Sequence, residues 1–145
     1  MELHSELTER ADLRGNEFAW RPQDFPAIAV KARELGYGCL GGQFQFRAPG
    51  ATCEMYWLNA DPAERMGAES WADYSARSCT QTLDRFKRVV ADTDFLAEAH
   101  RWADVPQLAG PAASPLDYLY FVAYFIRDGS VSNNSFKPNP HQGGA

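Results

Sequence analysis

Histidine and cysteine are scarce in this chain, three of each, and their spacing excludes more than their number does. Cys39, Cys53 and Cys79 form no C-x-x-C and have no histidine at ligand spacing, so neither a zinc site nor a dithiol redox motif can be read from them. An odd count leaves at least one thiol unpaired, and the three read as small buried hydrophobes suited to a reducing cytoplasm. His4, His100 and His141 lie far apart, which removes the local basis for a metal centre. No metal and no other cofactor is expected. Basic clusters are missing as well: 14 Lys plus Arg face 19 Asp plus Glu, a net charge of −5, which supplies no phosphate-binding stripe and argues against nucleic acid as a partner. The start, MELHSELTERADLRG, has no apolar core of a signal peptide, and no apolar run is long enough to span a membrane. Without a secretory route the sequon Asn133-Asn134-Ser135 reads as a chance match.

Catalytic signatures are equally short. Gly36, Gly38, Gly41 and Gly42 crowd a strand entry without the spacing of a dinucleotide fingerprint or the lysine of a phosphate loop. No nucleophile elbow occurs. His100 and Asp104 stand four apart, so a helix continuing through them would put both on one face as an oriented base; a surface pair or cap is the ordinary alternative. Glu54, Glu64 and Glu69 with Arg65 or Arg77 could converge on a cleft, against the ordinary reading of solvated charges.

What the sequence does contain is a hairpin. In Gln43 to Leu58, Phe44 and Phe46 alternate with Gln43, Gln45 and Arg47, and Pro49-Gly50 lies between two such runs. With Ala48 to Ala51 as the connection, Arg47 faces Thr52, Phe46 faces Cys53, Phe44 faces Met55 and Gly42 faces Trp57 on strands of about 39–47 and 52–58. The apolar face is expected to bury Trp57, with Gly41-Gly42 leaving room for its ring or marking a bulge. The reverse face pairs Gln45 with Glu54 and Gln43 with Tyr56, a polar set for water or for a partner.

Helices are expected at about 25–35, 70–91 and 94–103. The first has Asp24 as cap, Pro26 in its first turn and Gly36 as its stop. The second opens on Ser70-Trp71-Ala72-Asp73, a hydroxyl followed three residues later by a carboxylate, and carries an apolar stripe of Trp71, Tyr74, Cys79, Leu83, Phe86, Val89 and Val90. The third runs through Phe95, Leu96, Ala99 and Trp102 to Pro106. Leu116 to Ile126, LDYLYFVAYFI, fits helix and strand periods alike and belongs to the core in either form. Residues 1–20 allow at most a short helix, and Asn59 to Glu69 reads as loop or a short helical turn. No internal repeat is present.

The expected fold is therefore α+β, a small antiparallel sheet with helices on one face, in a single domain over 1–129 followed by a polar tail over 130–145. A small, acidic, aromatic-rich chain short of catalytic motifs resembles bacterial immunity proteins in overall character. That resemblance implies a non-enzymatic protein that neutralises a cognate toxin by occluding it, and it carries over no individual residue. The candidate partner-binding residues are Gln43, Gln45, Arg47, Glu54 and Tyr56, with Trp71 and Tyr74 nearby. The alternatives are an aromatic pocket, in which Glu54, Tyr56, Arg77 or His100 holds or hydrolyses a small ligand, and a homodimer joined by the aromatic run or a sheet edge.

Overall fold

A computed structural model describes residues 3–129, and the expected polar tail lies outside them. The elements are α1 (Ser5–Thr8), β1 (Asp12–Arg14), β2 (Glu17–Trp20), α2 (Phe25–Glu34), β3 (Gly38–Ala48), β4 (Ala51–Ala60), α3 (Trp71–Asp92), α4 (Phe95–Ala99), α5 (Pro106–Ala109), a 3-10 turn at Pro115–Tyr118 and β5 (Leu119–Ile126). The five strands form one antiparallel sheet in the order β1-β2-β5-β3-β4. The chain is thus α+β, with its helices on one face of the sheet.

Helix starts follow the local chemistry. The Ser70 hydroxyl accepts from the Asp73 amide at 3.1 Å, and the Asp94 carboxylate accepts from Ala97 at 3.1 Å. Asp24 precedes α2 without a side-chain cap bond, and Gly36 beyond that helix takes φ +82°. Two parts of the expected helical pattern change. The helix at 94–103 is only α4, because the chain turns at His100. Val90, read as core, is 41% exposed, while Ser75, Ser78 and Thr82 are buried instead. Those small side chains let α3 approach the sheet: Ser75 donates to the Tyr37 carbonyl at 2.6 Å, and Ser78 Oγ accepts from the Cys39 amide at 3.0 Å.

Leu116 to Ile126 resolves into the 3-10 turn and β5, which enters the sheet between β2 and β3. Its odd-numbered side chains turn to the helices. There Phe25, Phe44, Phe86 and Phe121 form one cluster, with ring centroids of 4.6 Å for Phe25–Phe121 and 4.9 Å for Phe86–Phe121. This cluster joins α2, β3, α3 and β5. Trp20 is fully buried beside it and donates its indole N–H to the Leu7 carbonyl at 2.7 Å, which ties α1 to the core.

The hairpin register holds near its turn and changes away from it. Arg47–Thr52, Phe46–Cys53, Gln45–Glu54 and Phe44–Met55 pair as the alternation requires. Beyond them Gln43 pairs with Asn59 and Gly42 with Ala60, so the expected Gln43–Tyr56 and Gly42–Trp57 pairs do not form. Tyr56, Trp57 and Leu58 are a bulge, closed by Asn59 Nδ2 donating to the Tyr56 carbonyl at 2.9 Å, and β4 extends to Ala60. The space beside Gly42 belongs to β5: a Cβ there would run into the Val122 carbonyl oxygen and stand 2.8 Å from the Phe121 ring. Trp57 is accordingly 44% exposed rather than buried.

Candidate functional site

The register assigns the second face of the sheet. Asp12 opposes Ala19, Ala19 opposes Val122, Val122 opposes Gln43, and Gln45 opposes both Tyr120 and Glu54. By alternation Arg14, Glu17, Tyr124 and Arg47 share this face. It is not the solvated plane that its polarity suggests, because Gln45 is fully buried, Arg47 is 3% exposed and Gln43 8%.

Arg47 shows why. Its Nε donates to Gln45 Oε1 at 2.6 Å, one Nη to the Asp12 carboxylate at 2.9 Å and carbonyl at 2.8 Å, and the other Nη to the Glu17 carbonyl at 3.1 Å. Arg14 likewise reaches from β1 to the carbonyls of Ala48 and Ala51 and to the Thr52 hydroxyl. Strands β1 and β3 are separated in the sheet by β2 and β5, so these bonds require the sheet to curl until β1–β2 folds over the tip of β3–β4. Within the curl, the Tyr124 hydroxyl donates to Glu17 Oε2 at 2.8 Å, and Gln43 Nε2 donates to Glu54 Oε1 at 3.2 Å. The Gln45 Nε2 donor has no protein acceptor among the described residues. Burial of its surroundings, then the nearby charge of Glu17, raises the proton affinity of Glu54, while Arg47 acts in the opposite direction. Burial, then the bond to Glu17, pushes the Tyr124 phenol far upward.

The outer edge of β4 has a different character. Tyr56 and Trp57 are 41% and 44% exposed, and their rings meet edge to face at 5.6 Å. Trp57 is held from outside the sheet: its indole N–H donates to Glu98 Oε1 at 3.0 Å, and the Arg101 guanidinium lies 5.4 Å from its ring centroid. Glu98 also pairs with Arg101 at 3.1 Å. No strand covers this edge among the described residues.

The remaining candidates are dispersed. Trp71 and Tyr74 lie on α3, across the sheet from Gln45; Trp71 donates to the Gly36 carbonyl at 2.8 Å, and Tyr74 is 4% exposed. They join neither the buried polar face nor the exposed edge. Since α4 ends at Ala99, no helix aligns His100 with Asp104. Glu64, Glu69, Arg65 and Arg77 do gather, without Glu54: Arg77 clamps the Glu69 carboxylate at 2.6 and 2.8 Å and takes the Glu64 carbonyl, while Arg65 stacks 5.2 Å from the Trp71 centroid. This network fastens the 61–70 loop onto α3. Burial pushes the Cys79 thiol well up, opposite to what a nucleophile needs. Among the described residues no three His, Cys, Asp or Glu side chains gather as metal ligands. No helix there is long and apolar enough to cross a membrane.

Asp12, Glu17, Tyr124 and the Trp57 clamp were not singled out by sequence reasoning. A signal existed for the first two. Gly15-Asn16 separates two short runs, and Gly-Asn is a two-residue hairpin connection; Gly15 takes φ +60° there, and Arg14 pairs with Glu17.

No protein-family model, curated protein or solved structure matches the chain.

Proposed function

We propose that this is a non-enzymatic protein-binding module that captures a basic partner on the bulged outer strand β4, with Tyr56 and Trp57 as its anchors. The observation that carries the reading is the pair of adjacent aromatic side chains left exposed on a sheet edge that no other strand covers among the described residues. Aromatic residues and arginine dominate binding hot spots, and here Trp57 adjoins both Tyr56 and Arg101. Glu98 and Arg101 already restrict the Trp57 ring, so little further side-chain freedom is lost when a partner packs on it. The bulge interrupts the regular edge, which disfavours indiscriminate strand pairing and selects a shaped partner. Glu54 and Glu98 flank the aromatics, and the net charge of −5 favours encounter with a basic surface.

A cytoplasmic immunity protein that occludes a cognate toxin is the form of this function that suits the chain's overall character. The test uses the full chain and the products of its neighbouring genes. A stoichiometric complex that inhibits a toxic enzyme, and that Trp57→Ala and Tyr56→Ala abolish, supports the proposal. A mass of two identical chains, lost in the same variants, would replace the foreign partner by a second copy.

A further inference from the structure

We infer that the groove between the end of β4 and the last turns of α3 receives a carboxylate side chain, aspartate or glutamate, from the partner; the inference rests on the protein-binding reading above. The groove has a volume of about 450 Å³, with Leu58 and Val89 as apolar walls and Arg85, Arg88, Asp92 and Thr93 as polar ones. Leu58 is the last residue of the bulge that carries Tyr56 and Trp57, so the groove and the aromatic anchors are continuous along β4. Arg85, Arg88, Val89 and Asp92 recur at three- and four-residue spacing and share one face of α3. Leu58 and Val89 are half-buried against the core, which leaves apolar surface beside a guanidinium, a setting that suits a short methylene stem ending in a carboxylate.

Arg88 is the group the carboxylate meets. Arg85 is already engaged, donating to the Asp61 carbonyl, and Asp61 Oδ1 is buried where a Cβ on Gly41 would collide with it. Arg88 is exposed, and no carboxylate oxygen lies within 4.0 Å of its nitrogens among the described residues. Asp92 follows Arg88 by four residues, with the base before the acid, which is the weaker order for a helical ion pair, and the pair does not close. The planar fork of Arg88 is thus left to bind an oxygen pair from outside, with the charge of Arg85 one turn away in support. A phosphate dianion would be repelled by Asp92 with about twice the force felt by a carboxylate, which favours the single charge. A partner drawn by the net charge of −5 presents a mainly basic surface, and Arg88 repels that surface unless an acidic residue meets it. The carboxylate therefore fixes the partner's register on β4, and basic proteins that lack it are rejected.

The test titrates the full chain with Nα-acetyl-glutamate amide, with its neutral glutamine counterpart and with inorganic phosphate at low salt, read by two-dimensional NMR that includes the arginine Nε–H signals. The expected result is saturable millimolar binding of the glutamate probe that shifts the Arg85, Arg88 and Val89 signals, with the glutamine probe roughly tenfold weaker or silent. Arg88→Gln should weaken the glutamate probe severalfold and Asp92→Asn should tighten it; both residues are exposed, and thermal melts verify that each variant remains folded. Equal binding of the glutamate and glutamine probes, no saturation, unchanged binding in both folded variants, or tighter binding of phosphate than of glutamate overturns the inference. The probes need no partner, so this failure is separate from that of the protein-binding reading: a partner lost in Trp57→Ala yet bound normally by Arg88→Gln refutes the carboxylate groove alone.

Discussion

Arg47 and Asp12 meet at 2.9 Å although two strands lie between theirs in the sheet. Only 1% of the Arg47 side chain is exposed, against 42% for Asp12, so the two partners carry unequal weight. Removing the guanidinium leaves Gln45 Oε1 and the carbonyls of Asp12 and Glu17 without their donor, whereas removing the carboxylate charge leaves Arg47 three other acceptors. Arg47→Met should therefore cost about 3 kcal/mol of folding stability. Asp12→Asn should cost no more than about 1 kcal/mol. Urea denaturation of the two variants measures the difference, and equal losses would mean that Arg47 does not hold the curl.

Glu54 supplies a pH test. Its folded-state proton affinity lies above the ordinary value of 4.5, with burial the larger cause and Glu17 the next. The stabilisation from its protonated form is full below that ordinary value and is lost as pH rises through the raised one. Glu54→Gln should melt higher than the parent protein at pH 7, and the gain should vanish near pH 4.5 and below. A variant that melts lower than the parent at pH 7 contradicts this assignment.

Glu69 has the opposite sign. Its hydrogen bonds from Arg77 hold its carboxyl down from 4.5 to about 2. The stability it contributes is present above 4.5 and lost as pH falls toward 2. Glu69→Gln should destabilise the protein at neutral pH, and the gap to the parent should close across that acidic window. Melting curves at successive pH values check it.

Gly42 tests the close approach of β3 to β5. A methyl group there meets backbone as well as the Phe121 ring, so Gly42→Ala should cost about 3 kcal/mol or more. Gly67, with open space around its Cβ position and no positive φ, serves as the control and should tolerate alanine within roughly 0.5 kcal/mol. Calorimetry of both variants compares them.

The contrast between these sites marks what local pattern can carry. Phe44, Phe46, Gln45 and Arg47 fall on the faces that alternation assigns, because that rule depends only on strand geometry. The change of register after Phe44 is not local: Tyr56, Trp57 and Leu58 continue an acceptable strand pattern, and the groups that hold Trp57 outward, Glu98 and Arg101, lie some forty residues downstream. Burial of Gln45 and Arg47 was equally hidden, since their cover comes from β1–β2, a charged segment of short strands. Its Gly15-Asn16 turn was the legible clue. The 116–126 segment carries both periods, and its place between β2 and β3 decides for strand. Of the candidate partner-binding residues, Tyr56 and Glu54 lie at the surface, while Gln45, Arg47 and Tyr74 lie inside.

The most direct test of the central claim is the affinity of the captured partner for Trp57→Ala, measured by calorimetry beside the melting temperature of the variant. Truncating a half-exposed indole should leave folding within about 1 kcal/mol of the parent while weakening the complex by at least about 2 kcal/mol. A variant that binds its partner as tightly as the parent protein would contradict the account of β4 as the docking edge.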